Sequence, residues 1–129
     1  MKNRLIELLS EGSIDLDSDT SPESAAEHLI LYLTEWKRWN AKINLTAERD
    51  ELSVINKHIY ESLQYARVIS PTGSLVDIGS GAGFPGIPVK IIRPKLEIVL
   101  VESQRKGQIF LKQPFVPLNC LQFSVFMGE

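Results

Sequence analysis

Apolar positions recur at helical spacing through the first half of the chain and gather into short contiguous runs in the second. Leu5, Ile6, Leu8 and Leu9 share one face of a short helix over residues 3 to 9, with Gly12 as its natural stop. The acidic SIDLDSDTSPES that follows reads as a loop. Thr20 or Ser21 is placed to cap the next helix, Pro22 suits its first turn, and Glu23 and Glu27 complement the positive end of its dipole. Leu29, Tyr32 or Leu33, Trp36 and Asn40 then recur every three or four residues, which predicts an amphipathic helix through AAEHLILYLTEWKRWN. AKINLTAERDELS breaks the pattern. Asp50 can cap a helix over Glu51 to Lys57, and a second follows closely from Ile59 to Val68, with Ile59, Leu63, Ala66 and Val68 inward.

After a turn at SPTG (70–73) the pattern changes to strand, loop, helix, strand: Leu75 to Ile78, a glycine-rich loop, Ile87 to Ile92 closed by Arg93-Pro94, and LEIVLVE. This is a βαβ unit, parallel and right-handed in nearly all known cases. SQRKGQIFLKQ begins a second crossover helix and QFSVF a third strand. Pro114 and Pro117 stand where that helix would continue, and an interior proline costs about 3 kcal/mol.

Composition narrows the class without changing this picture. A chain of 129 residues that is 43% hydrophobic can bury one real core. No apolar stretch approaches the roughly 20 residues of a membrane span, and the N-terminus lacks a signal peptide's apolar core, so a cytoplasmic location is expected. Cys120 is the single cysteine, which rules out an internal disulfide and a cysteine-rich zinc site; His28 and His58 are isolated, and no metal is expected. Residues 1–70 carry 8 Lys and Arg against 12 Asp and Glu, and residues 71–129 carry 6 against 4. That basic excess is too small to predict nucleic-acid binding by itself. Trp36 and Trp39 read as core or interface residues, with base stacking as the alternative.

The candidate chemistry lies in LVDIGSGAGFPGIP, Leu75 to Pro88, where five glycines or alanines fill eight positions after a strand. A loop of this kind lets a ligand approach the backbone closely. Gly81, Gly83 and Gly86 formally satisfy the dinucleotide pattern G-x-G-x-x-G, but Gly79-Ser80 intervene after the strand and Pro85 and Pro88 interrupt the helix. Asp77, Gly79, Gly81 and Gly83 form D-x-G-x-G-x-G, the pattern of class I methyltransferases that bind S-adenosyl-L-methionine. That ligand carries a sulfonium and an ammonium, so an acid at the strand end suits it. Glu102, at the end of the next strand, is spaced to accept from both ribose hydroxyls. The methyltransferase pattern fits best; an NAD-type site and a turn without ligand are the alternatives. A P-loop is excluded because no G-K-[ST] follows.

VDIGSGAGFPGIPVKIIRP resembles the RsmG/GidB family, which methylates N7 of a guanine in 16S ribosomal RNA. WNAKINLT (Trp39 to Thr46) is similar to the family's W-N-x-x-x-N-L-T, and KHIYESL (Lys57 to Leu63) to its R/K-H-I-x-D-S, with Glu61 in place of the usual Asp. The resemblance runs from about Leu31 to Lys112. It implies a Rossmann-like α/β methyltransferase core of about three parallel strands, with residues 1–70 as a helical N-terminal region and 71–129 as the N-terminal half of the cofactor-binding domain. It also implies that Gly79 and Phe84 contact S-adenosyl-L-methionine, that Asp77, Gly81 and Gly83 shape the loop, and that Glu102 lies at the ribose. Asn44, Thr46, His58 and Ser62 match the motifs and are expected to fix the helical region against the core by hydrogen bonds. The expected partner is 16S rRNA in the small ribosomal subunit. Arg93, Lys95, Arg105, Lys106 and Lys112 could meet RNA phosphates, although each taken singly reads as a solvated surface charge.

Family members are roughly half as long again. Leu118 to Phe126 fall on the family's third strand and its approach, and the acidic pair near the adenine and a later Ser-Arg-Ala segment have no counterpart here. The resemblance therefore implies a C-terminally truncated form of low or no catalytic activity, with a sheet edge and an apolar face uncovered. A non-catalytic RNA- or ribosome-binding remnant is the rival from another class.

Overall fold

Ser21 opens the longest helix: its hydroxyl accepts from the Ser24 amide at 3.1 Å, and Pro22 follows where a missing N–H costs nothing. In the computed structural model, which describes residues 2–11, 14, 16, 20–48, 50–70, 72–79, 81–113 and 123–127, this helix is α2, Pro22–Ile43. It follows α1 (Lys2–Ser10) and ends at Asn44, whose left-handed backbone (φ 52°) returns its N–H to the Asn40 carbonyl. Ala25, Leu29, Tyr32, Leu33 and Trp36 form its buried stripe. Asp50 caps α3 (Glu51–Val54) by accepting from the Ser53 amide at 3.2 Å.

The sequence pattern predicts two helices around His58. The structure instead carries the chain without interruption from α3 through a π-helical turn, Ile55–Ile59, into α4 (Tyr60–Tyr65). Val54, Ile55 and Ile59 are buried through the wide turn, and Ser62 and Leu63 continue the buried face into α4.

Beyond Gly73 come β1 (Ser74–Ile78), α5 (Gly86–Ile92), β2 (Glu97–Glu102), α6 (Arg105–Leu111) and β3 (Phe123–Met127). The helix α6 stops before Pro114; Pro114, Pro117 and Cys120 lie outside the described residues. All three strands are parallel in the order β1-β2-β3. Both crossovers step the same way across the sheet, and α5 and α6 both pack against α2 on one face of it. On that face Ile98 and Leu100 are buried, and Ile87, Ile92 and Phe110 join Leu5, Tyr32, Leu33 and Trp36 in one apolar core. On the other face Val76 and Ile78 are 56% and 80% exposed, with Val99 and Val101 beside them in register.

Buried cations close the far end of α5. The Lys90 ammonium donates to the carbonyls of Pro94 and Leu96, and burial pushes its pKa down against the opposing pull of Glu97. Among the described residues no helix is long and apolar enough to cross a membrane, and no group of His, Cys, Asp and Glu is placed to hold a metal.

Candidate functional site

The ladder between β1 and β2 runs one residue past the strand, with the Gly79 amide donating to the Val101 carbonyl at 2.7 Å. The chain then turns through three positive φ angles, 76° at Gly79, 55° at Gly81 and 96° at Gly83, a conformation that side chains with a Cβ adopt only under strain. A Cβ at Gly79 or Gly81 would meet nothing within 4 Å, so this rim of the loop is open. At Gly83 it would lie 2.5 Å from Ile87 Cδ1 and 3.2 Å from the Tyr32 hydroxyl.

Three anchors fix the loop from beneath. Glu102 accepts from the Gly81 amide at 2.6 Å through Oε2 and from the Gln104 amide at 3.0 Å through Oε1. Asp77 accepts from the Gly86 amide at 3.0 Å, tying the loop's exit to the strand below it. The Tyr32 hydroxyl donates to the Ala82 carbonyl, and burial, with the Asp77 charge adding to it, holds its pKa well above the ordinary tyrosine value. Both predicted acids thus bind the loop's own backbone. A carboxylate offers about four lone-pair positions, so Glu102 keeps one further acceptor position on each oxygen.

Gly107 is a site residue that the sequence pattern missed. A Cβ there would lie 2.7 Å from Glu102 Cγ and 3.1 Å from the Gly81 carbonyl, so the first turn of α6 seats against the loop only because this position is bare. Its signal was a glycine inside a predicted helix, which costs about 1 kcal/mol relative to alanine and calls for a reason.

The second wall comes from the helical region. Asn40 Oδ1 accepts from the Thr46 amide at 2.8 Å, while Asn40 Nδ2 and Thr46 Oγ1 both donate to the Glu48 carbonyl, at 3.0 and 3.2 Å. This folded loop holds the Glu48 carboxylate 3.2 Å from Lys57 Nζ and 3.3 Å from His58 Nε2. The His58 ring in turn stacks on Phe84 of the glycine loop, centroids 5.1 Å apart at 20°, and Phe84 meets Tyr32 edge-on at 5.7 Å. Ser62 donates to the His58 carbonyl at 2.6 Å. The hydrogen bonds of Thr46 and Ser62 lie within the helical region, and the stack of His58 on Phe84 joins that region to the glycine loop.

Lys57 first, a backbone hydrogen bond at Glu48 itself next, and His58 least hold the Glu48 carboxyl below the ordinary glutamate range. A depressed carboxylate contributes stability that is present above its unfolded pKa of about 4.3 and is lost as pH falls through the folded value. The difference in melting temperature between the native chain and Glu48→Gln should therefore be present above about pH 5 and shrink in more acidic buffer. A difference that ignores acidification would show that these contacts contribute nothing.

Of the basic residues, Lys95, Arg105, Lys106 and Lys112 are exposed. Arg93 is not a surface charge: it is 5% exposed and donates to the Ala66 carbonyl at 3.0 Å, joining α5 to the end of the helical region. Trp36 is core, whereas Trp39 is half-buried with Arg38 and Lys42 over its ring.

Residues 25–125 match the family model described as rRNA small subunit methyltransferase G, GidB. The chain belongs to this family. Proteins named ribosomal RNA small subunit methyltransferase G are similar along most of it: 42% identity with one from Geobacter sp. strain M21 (92% of this chain, 54% of the relative), and 38% with one from Syntrophotalea carbinolica (100% and 61%). A third, from Alkalilimnicola ehrlichii, is 45% identical over 78% of this chain and 45% of its own length. The chain thus spans about half the length of these methyltransferase G relatives, and its sheet is a Rossmann-like methyltransferase core preceded by helices.

Proposed function

We propose that the chain binds S-adenosyl-L-methionine against the glycine loop and serves methyl transfer to N7 of a guanine in 16S ribosomal RNA, in the cytoplasm and without a metal. The observation that carries this reading is the loop itself: an open rim at Gly79 and Gly81 above two buried carboxylates. The residues fit the cofactor. The spare acceptor positions of Glu102 suit a ribose diol, and Gly79, Gly81 and Phe84 line the approach to the loop, while Asp77 places negative charge beneath it. When bound, S-adenosyl-L-methionine supplies a methyl group made electrophilic by its sulfonium. Guanine N7 carries a free lone pair, so no side chain has to remove a proton; the protein's contribution is alignment and exclusion of water. His58, engaged with Glu48 and Phe84, belongs to the scaffold rather than to proton transfer.

Calorimetric titration tests this. S-adenosyl-L-methionine should bind and NAD should not, and Gly79→Asp, which puts a charged side chain on the open rim at φ 76°, should weaken binding at least tenfold. Equal binding by the variant, or a preference for NAD, would refute the proposal; RNA binding without cofactor binding would favour the non-catalytic alternative.

A further inference from the structure

A cavity of about 200 Å³ opens between the helical region and the glycine loop, lined by His58, Glu61, Ser62, Tyr65, Phe84 and Pro85. Phe84 and Pro85 come from the loop; the other four come from successive turns of one helix face. Its walls suit a planar ring. Phe84 and His58 are already stacked, and the Tyr65 side chain is half exposed at the rim. Ser62 is engaged with the His58 carbonyl, but Glu61 is exposed and makes no hydrogen bond or ion pair among the described residues.

An ionised carboxylate only accepts hydrogen bonds, and it does so best from two donors side by side. Guanine presents that pair at N1–H and the 2-amino group. Adenine offers an acceptor at N1, cytosine an acceptor at N3, and uracil a single N–H between carbonyls. With its N1 and 2-amino edge on Glu61, the purine turns N7 to the opposite side, toward Phe84, Pro85 and the glycine loop. We propose that this cavity is the pocket for the base to be methylated and that Glu61 is the residue that selects guanine. The assignment rests on the methyltransferase reading above. It also gives Glu61 a second effect, since methylation at N7 makes the purine cationic and a nearby carboxylate stabilises the developing charge.

The test uses fluorescein-labelled RNA pentanucleotides of uridine with guanosine, inosine or adenosine at the centre, titrated by anisotropy against the native chain and Glu61→Gln. Inosine lacks only the 2-amino group. The native chain should bind the guanosine oligonucleotide about tenfold more tightly than the other two. Glu61→Gln should erase that preference while its melting temperature and its calorimetric affinity for S-adenosyl-L-methionine stay unchanged. Equal binding of all three by the native chain, no binding of any, or a preference that survives in Glu61→Gln overturns the assignment. A guanosine preference that depends on Glu61, in a chain that does not bind S-adenosyl-L-methionine, supports the pocket and removes the methyltransferase reading instead.

Discussion

Glu102→Ala should destabilise the chain by about 1–3 kcal/mol, because it removes the acceptor of two backbone donors, the half-buried Gly81 amide and the amide of exposed Gln104. Each unmade buried hydrogen bond costs about 1–3 kcal/mol, and water entering the space left by the side chain recovers only part of it. The glycine loop loses one of its three anchors at the same time, so affinity for S-adenosyl-L-methionine should fall by more than the tenfold expected for loss of one charge-assisted hydrogen bond. Urea unfolding and calorimetry on the same samples separate the two effects. Glu102→Gln is the informative control: it keeps the volume and one acceptor but points an amide N–H at a backbone N–H. If Glu102→Ala leaves the unfolding midpoint unchanged, the pinning of the loop by Glu102 is not structural.

Gly86→Val should cost about 3 kcal/mol. A Cβ at this position would overlap a methyl of Leu100 and approach Asp77 Oδ2 to 2.9 Å. The Leu100 methyl can rotate away, but Asp77 is fixed to β1 and holds the Gly86 amide, so α5 must lift from the sheet. Removing a glycine from a helix gains at most about 1 kcal/mol, which the steric displacement outweighs. Because α5 begins at this residue, the same substitution should also loosen the loop and lower cofactor affinity. An unfolding midpoint equal to or above that of the native chain would show that the helix absorbs the side chain.

Local rules made much of this architecture legible. Ser21 and Asp50 cap the helices they were expected to cap, because capping involves only residues three apart in sequence. The βαβ unit followed from two apolar runs and the turn residues between them, and Glu102 was reachable by counting from Asp77 to the end of the next strand. What escaped was set by tertiary structure. Glu48 looks like any surface acid until Asn40 and Thr46 fold its loop against Lys57 and His58. Arg93 reads as a solvated charge because its acceptor, the Ala66 carbonyl, is 27 residues away. Tyr32 occupies a helix-face position and reads as core, and only the fold brings its hydroxyl to the Ala82 carbonyl.

The π-helical turn has a consequence for how this segment can change length. Its wide ring, closed by the Tyr60 N–H on the Ile55 carbonyl, holds one residue more than an α-helical turn. Deleting a single residue between Ile55 and Ile59 would let the same N–H and carbonyl close an ordinary α-helical turn, so the helices on either side would keep their present phase. Val54 and Leu63 would then stand eight residues apart in a regular helix, about 80° of rotation, and would still face the core together, whereas a deletion in a part of the helix with no wide turn to absorb it would turn one end by about 100°. The wide turn is thus the place where this segment can lose a residue, and single-residue gaps among relatives should collect within Ile55–Ile59 rather than in the α-helical turns on either side.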